Sequence, residues 1–174
     1  VTAALLQSVL RAHRPSTPLH VYDSFEGLPQ GTAEDPPAYQ TAGAMCCSPD
    51  DVRATFGKLD LPEPTIHKGW FADLRAEVPS QLSFAHVDGD LYASITDALE
   101  LIYDRLAPGA ICVVDDVTSP DLPRHGIFPG AYDACRDFLE GKPEELHVLP
   151  APHPTINAIG GRGGYETHAY FQKV

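Results

Sequence analysis

The sequence predicts an α/β domain built on a mostly parallel sheet, and three observations carry that expectation. Apolar runs of strand length alternate with segments whose apolar residues recur at helical spacing. Two of the runs, Phe84-Ala-His-Val87 and Ala110-Ile-Cys-Val-Val114, stop abruptly in carboxylates, Asp88-Gly-Asp90 and Asp115-Asp116. A helical segment lies between them, the order expected of two parallel neighbours joined by a crossover helix.

The elements follow in order. Leu5, Leu6, Val9 and Leu10 form the apolar stripe of a first helix, Val1 to Ala12, closed by Pro15. Leu19 to Tyr22 is a short strand that stops at Asp23-Ser24-Phe25. Gly27 to Cys47 holds several Gly and Pro residues without periodicity and reads as a long loop. Ser48 is the N-cap of the next helix, Pro49 fits its first position, and Asp50 and Asp51 suit its dipole. That helix runs to about Leu59. Pro64 to Lys68 is a strand leading into Gly69-Trp70-Phe71, with a brief helix from Phe71 to Ala76. After the strand Phe84 to Val87 comes a helix from Ser94 to Arg105, with Ile95, Ala98, Leu99 and Ile102 on one face. Pro108-Gly109 turns the chain into the strand Ala110 to Val114. A polar, Pro-rich loop then leads to a helix from Gly130 to Leu139. His147 to Leu149, a weaker extended segment Ile156 to Ile159, a Gly160 to Gly164 connection and the strand His168 to Lys173 close the chain. The last strands are expected to form an antiparallel pair at one edge.

At 174 residues the chain is long enough for one domain with a core of its own, and 43% hydrophobic content suits that. A net charge of −12 excludes nucleic acid as a partner, because nothing would neutralise a phosphate backbone, and it disfavours docking on an anionic membrane. No apolar stretch is long enough to span a bilayer. Cys46 and Cys47 are adjacent, Cys112 sits in an apolar strand, and with Cys135 they show no zinc spacing. Reduced thiols and a cytoplasmic protein are the expectation.

Parallel neighbours would gather Asp88, Asp90, Asp115 and Asp116 at the carboxyl edge of one sheet, where open α/β sheets bind ligands. Carboxylates crowded there repel one another, and a hard divalent cation is the simplest neutraliser. Asp115-Asp116 alone could be a turn, and Asp90 could be a helix cap. Asp23, at another strand end, is placed as acids that hold ribose often are. Trp70 and Phe71, beside Gly69, suit a wall for a planar ring as well as a place in the core. His86 reads as a strand histidine facing away from the carboxylates, and Tyr92 as a packing residue. Tyr39 and His125 lie in loops where an acceptor substrate could sit.

Tyr22-Asp-Ser-Phe-Glu-Gly-Leu-Pro29, Lys68-Gly-Trp-Phe71, Val87-Asp-Gly-Asp-Leu-Tyr92 and Val114-Asp-Asp116 occur in this order at a familiar spacing. By them the chain resembles the macrocin O-methyltransferase family, whose members methylate sugars and phenols of antibiotics. The resemblance implies the Rossmann-like sheet of class I methyltransferases, S-adenosylmethionine as cofactor, and a bound divalent cation, usually Mg2+. It implies Asp88, Asp115 and Asp116 as metal ligands and Asp90 as general base. Asp23 and Ser24, with Gly69, Trp70 and Phe71, would bind the cofactor. The acceptor would be a small hydroxylated molecule, and a homodimer is left open. The family's first strand and Gly-rich turn precede the helix that matches Val1 to Ala12. Neither is in this sequence, so the natural protein is expected to extend beyond Val1.

Two other readings compete. A methyltransferase-like binding domain without catalysis would explain the absent turn, although clustered acids are costly to keep without a ligand. A Mg-dependent phosphoryl-transfer enzyme would need a Gly-rich loop with a Lys, which the sequence lacks, or a nucleophilic Asp closing the first strand, for which Asp23 is the one candidate and its Ser-Phe-Glu-Gly surroundings give no help.

Overall fold

A computed structural model describes residues 2–35, 42–117, 128–149 and 168–174. The expected segments Ile156–Ile159 and Gly160–Gly164, and the residues Tyr39 and His125, lie outside those residues. The chain divides into two compact units, Val1–Gly27 with Gly43–Glu77, and Leu28–Ala42 with Val78–Val174.

The first unit holds helix α1 (Thr2–His13), strand β1 (His20–Asp23), helix α2 (Pro49–Lys58) and strand β2 (Thr65–Lys68). The two strands are parallel, with Val21 opposite Ile66 and Asp23 opposite Lys68. Strand alternation divides their side chains between two faces. Val21 shares a small cleft with Ala3 and Ala4 of α1 and Val52 and Phe56 of α2. His20, Tyr22 and His67 stack their rings with one another. Helix α2 starts as its sequence requires. The Ser48 hydroxyl accepts from the Asp51 N–H, and the Asp51 carboxylate accepts from the Ser48 N–H at 2.9 Å, a complete capping box. The brief helix expected after β2 is instead two 3-10 turns, Phe71–Asp73 and Arg75–Glu77. One apolar residue, Leu74, is buried there, too few to hold an α-helix against the sheet.

The second unit holds β3 (Leu82–Val87), α3 (Tyr92–Ile102), β4 (Leu106–Val114), α4 (Pro129–Leu139), β5 (His147–Leu149) and β6 (His168–Gln172). Its four-stranded sheet has the order β3-β4-β6-β5. β3 and β4 are parallel, and β6 runs antiparallel to both β4 and β5. The expected antiparallel pair is present, with the last strand inserted between β4 and β5. β4 begins earlier than expected, at Leu106. Leu82 pairs with Leu106 but Phe84 pairs with Ile111, so β4 carries extra residues around Gly109, whose φ of +85° glycine adopts freely.

The largest fully buried side chains lie in this unit. Leu91, Ile95 and Leu99 from α3 and its approach, Cys112 and Val114 from β4, Cys135 from α4 and Phe171 from β6 are all essentially inaccessible to water. Each large apolar side chain buried this way contributes about 1.5–3 kcal/mol. Burial pushes the Cys112 thiol up, and the Cys135 thiol up to about 12, so both are inert packing groups. All four cysteines are free. Among the described residues, no helix is long and apolar enough to cross a membrane.

Candidate active site

β3 and β4 end side by side, Val87 opposite Val114, so the two acidic clusters leave one sheet edge together. The Asp115 N–H donates to the Val87 carbonyl at 2.8 Å, tying the exit of β4 to that of β3. Gly89 leaves little room for a side chain, since a Cβ there would lie 3.1 Å from that of Ser94. The chain therefore turns tightly into α3, and Leu91, fully buried, anchors the turn.

Asp88, Asp90 and Asp116 converge, each offering a carboxylate oxygen within 4.8 Å of the others. Asp90 and Asp116 both have φ of +58°, a left-handed conformation that aspartate tolerates better than most residues. Such conformations cost on the order of 1–3 kcal/mol each and cluster where function requires them. Asp90 and Asp116 share a hydrogen bond, which requires a proton on one of them. Loss of hydration first, and then the neighbouring carboxylates, raise the pKa of both well above the ordinary value of 3.8. Asp88 keeps solvent access, yet desolvation by the surrounding protein and the charge of Asp115 raise it too.

Asp115 points elsewhere. His168 Nδ1 pairs with its Oδ1, and His86 Nε2 lies 3.7 Å from its Oδ2. His86 thus stands beside a carboxylate of the cluster rather than facing away. It is the second-to-last residue of β3, and the β3–β4 register sets it next to Val113, within reach of Asp115. His168 drew no notice in the sequence. It opens β6, which runs antiparallel to β4 with Ala169 opposite Val114, and this brings its first residue to the edge where β4 ends. Strand direction was the signal that could have found it.

Asp35 is a second site-edge residue that the sequence did not advertise. It is 3% exposed, accepting at 3.0 Å from the Tyr92 N–H that opens α3 and at 2.8 Å from the Thr32 N–H. A Cβ on Gly130 would meet its Oδ1 at 2.4 Å, so only glycine fits there. The Tyr92 hydroxyl reaches Asp137 of α4 at 3.2 Å, as befits a packing residue.

In the first unit Asp23 closes β1. Its Oδ1 accepts the Phe25 N–H at 2.7 Å, holding the left-handed turn at Phe25, and its carbonyl accepts the Gly69 N–H at 3.0 Å. The Ser24 hydroxyl is engaged in the same turn, donating to the Gly27 carbonyl and accepting from the Glu26 N–H. Trp70 is 39% exposed, and Phe71 is half-buried at the start of the first 3-10 turn.

Comparison with known proteins decides the family. Residues 2–136 match the sequence profile of the family described as Macrocin-O-methyltransferase (TylF). This chain belongs to the macrocin O-methyltransferase family. The 8-demethyl-8-(2,3-dimethoxy-alpha-L-rhamnosyl)-tetracenomycin-C 4'-O-methyltransferase of Streptomyces olivaceus is 33% identical over 148 residues, covering 79% of this chain and 52% of its own length. The mycinamicin III 3''-O-methyltransferase of Micromonospora griseorubida is 32% identical over 126 residues, 62% of this chain and 50% of its own. The chain thus spans about half the length of these relatives. A solved structure of the O-methyltransferase NovP superposes with a TM-score of 0.73 at 26% identity, covering 99% of this chain and 66% of that one. CalS11, a calicheamicin methyltransferase, shares the fold at 22% identity with a TM-score of 0.65. The fold is that of the class I methyltransferases, as the sequence led us to expect.

The acid cluster has a consequence for stability. Asp90 and Asp116 have folded-state pKa values raised above their unfolded value, so their neutral forms favour folding. That contribution is complete below the unfolded value of 3.8 and drains away as pH rises through the raised folded values. In chelator, Asp116→Asn should therefore gain stability relative to wild type as pH rises from acid to neutral. Thermal melts of both proteins across that range check it. A constant difference in melting temperature would contradict the raised values.

Proposed function

We propose that this protein is an S-adenosylmethionine-dependent O-methyltransferase that uses a divalent cation, Mg2+ being the best fit, to methylate a hydroxyl of a small metabolite. A sugar or phenol of a natural product is the acceptor class, since relatives are named for such substrates. The observation that carries the reading is the convergence of Asp88, Asp90 and Asp116 at the ends of two adjacent parallel strands.

The donor set suits a hard cation. It is all oxygen, it is close enough to share one ion, and burial first, then the neighbouring carboxylates, raise its pKa values. Asp88 and Asp116 are two of the ligands. Asp115, next in the chain, is the third by the family resemblance, with His86 and His168 holding its carboxylate meanwhile. When bound, the cation lowers the pKa of a hydroxyl it contacts and fixes its position. Asp90 then has one task. With S-adenosylmethionine bound to supply the methyl group, Asp90 would take the proton of the acceptor hydroxyl as its oxygen is methylated. Its raised pKa brings it nearer the working pH, as a general base requires. In the first unit, Asp23 is oriented by the Phe25 N–H to accept from ribose hydroxyls, and Trp70 and Phe71 offer aromatic surface to adenine. Ser24 and Gly69 shape the two turns that present them. The free, exposed Cys46 and Cys47 agree with a cytoplasmic setting.

The test is methyl transfer from labelled S-adenosylmethionine to a panel of glycosylated and phenolic acceptors, in Mg2+ and in EDTA. The reading expects transfer that EDTA abolishes and Mg2+ restores. Transfer undiminished by EDTA would remove the cation from the account. Neither transfer nor S-adenosylhomocysteine binding would favour a binding domain without catalysis. Asp23→Ala should weaken S-adenosylhomocysteine about tenfold or more, the range for loss of hydrogen bonds to a charged group, and leave cation affinity unchanged. Calorimetry of both ligands checks this, and equal loss of both would point to misfolding instead.

A further inference from the structure

We infer that His67 and Tyr22 are positioning residues that clamp the segment from Gly69 to Glu77 at its far end and thereby set the pose of Trp70 and Phe71; this rests on the cofactor reading above. The segment leaves β2 and returns to the same pair of strands. At its start, the Gly69 N–H donates to the carbonyl of Asp23 at 3.0 Å. At its end, Glu77 is held twice. Its carboxylate pairs with His67 Nδ1 at 2.6 Å, and its backbone carbonyl accepts the Tyr22 hydroxyl at 3.2 Å. Consecutive residues of β1, Tyr22 and Asp23, thus hold the two ends.

Local contacts shape what lies between. The 3-10 turns close on their own backbone, Asp73 to Trp70 and Glu77 to Leu74, each at 2.9 Å. Leu74 is the buried plug, lying against Gly69, where a Cβ would meet its Cδ2 at 3.0 Å. The pose of Trp70 is set between the hold at Gly69, the Leu74 plug and the anchor at Glu77. That anchor is itself pre-organised. The Tyr22 ring lies on the His67 ring at 4.4 Å between centroids and 6° between planes. His20 Nδ1 lies 3.0 Å from His67 Nε2, within hydrogen-bond distance, and the two ring planes are 14° from parallel. Both His67 ring nitrogens are thus engaged, Nδ1 with the Glu77 carboxylate and Nε2 with His20, which holds the ring in place. Burial, and then the neighbouring His67, lower the His20 pKa.

Trp70 is the only tryptophan in the sequence, so its fluorescence reports on this segment directly. In the full chain, His67→Ala should shift Trp70 emission to longer wavelength and raise its quenching by acrylamide. The same variant should weaken S-adenosylhomocysteine about tenfold, the range for one lost hydrogen bond to a charged group, with kcat unchanged. His67→Asn, which keeps a donor near Nδ1, should restore both. Tyr22→Phe removes only the hydroxyl and should reproduce part of the shift even if His67→Ala fails to fold. Unchanged emission and quenching in the folded variants would overturn the clamp. A wild-type chain that binds no S-adenosylhomocysteine would sink the cofactor reading instead, and the fluorescence comparison would still decide the clamp.

Discussion

Asp90→Asn is expected to lower turnover by about 10²–10⁴-fold, the contribution of a positioned general base, while cation and S-adenosylhomocysteine binding persist. The substitution keeps the shape of the side chain and its ability to hydrogen-bond Asp116, and removes only its basicity. It also removes one charge from a cluster whose members raise one another's pKa. On the proposed assignment, cation affinity rests on Asp88, Asp115 and Asp116, so it falls little. The geometry offers a sharp alternative, because Asp90, and not Asp115, shares the three-carboxylate group with Asp88 and Asp116. Calorimetric titration of Mn2+ into Asp90→Asn and Asp115→Asn separates the two. If Asp90→Asn loses the ion and Asp115→Asn keeps it, Asp90 is a ligand and the base lies elsewhere.

Glu144→Ala is expected to have the largest effect on stability, about 3–5 kcal/mol, the usual penalty for removing one partner of a buried ion pair. For a chain of this size that is a fall of roughly 10 °C in melting temperature. The Glu144 side chain is fully covered. Its Oε1 accepts from Lys173 Nζ at 2.7 Å and the Val174 N–H at 3.2 Å, and its Oε2 accepts from the Tyr103 hydroxyl at 2.6 Å. Lys173 also lies 4.0 Å from the centre of the Tyr103 ring. Three elements are latched at this point: the end of α3 through Tyr103, the exit from α4 through Glu144, and the end of β6 through Lys173. Burial alone would raise the Glu144 carboxyl, but these hydrogen bonds outweigh it and hold it down at about 2. The latch therefore stabilises above the unfolded value of 4.5 and weakens as pH falls toward about 2. It sits at the end of β6 opposite His168, so any activity measured in cold, folded Glu144→Ala should match wild type. Melting within about 1 °C of wild type would show that the latch contributes nothing.

Much of this was legible in the residues, for identifiable reasons. The exits of β3 and β4 were visible because a buried apolar strand that ends in carboxylates leaves few alternatives, and the crossover helix fixes the strands as parallel. Ser48-Pro49-Asp50-Asp51 announced its helix because N-capping is a local interaction. The misses were matters of long-range placement. The 3-10 turns after β2 looked helical by composition, yet Leu74 alone is buried among them. His86 and His168 came to Asp115 through strand register and the antiparallel insertion of β6, which no local pattern encodes. Asp35 came from the long loop to the start of α3, a contact between residues 57 apart in sequence.

The most direct test of the central claim is the binding of Mn2+, followed by electron paramagnetic resonance, in wild type and in Asp116→Asn at neutral pH. The account predicts one tightly bound ion per wild-type chain, displaced by Mg2+ and lost in the variant. An equal number of bound ions in both proteins, or none in wild type, would contradict a metal centre built on Asp88 and Asp116.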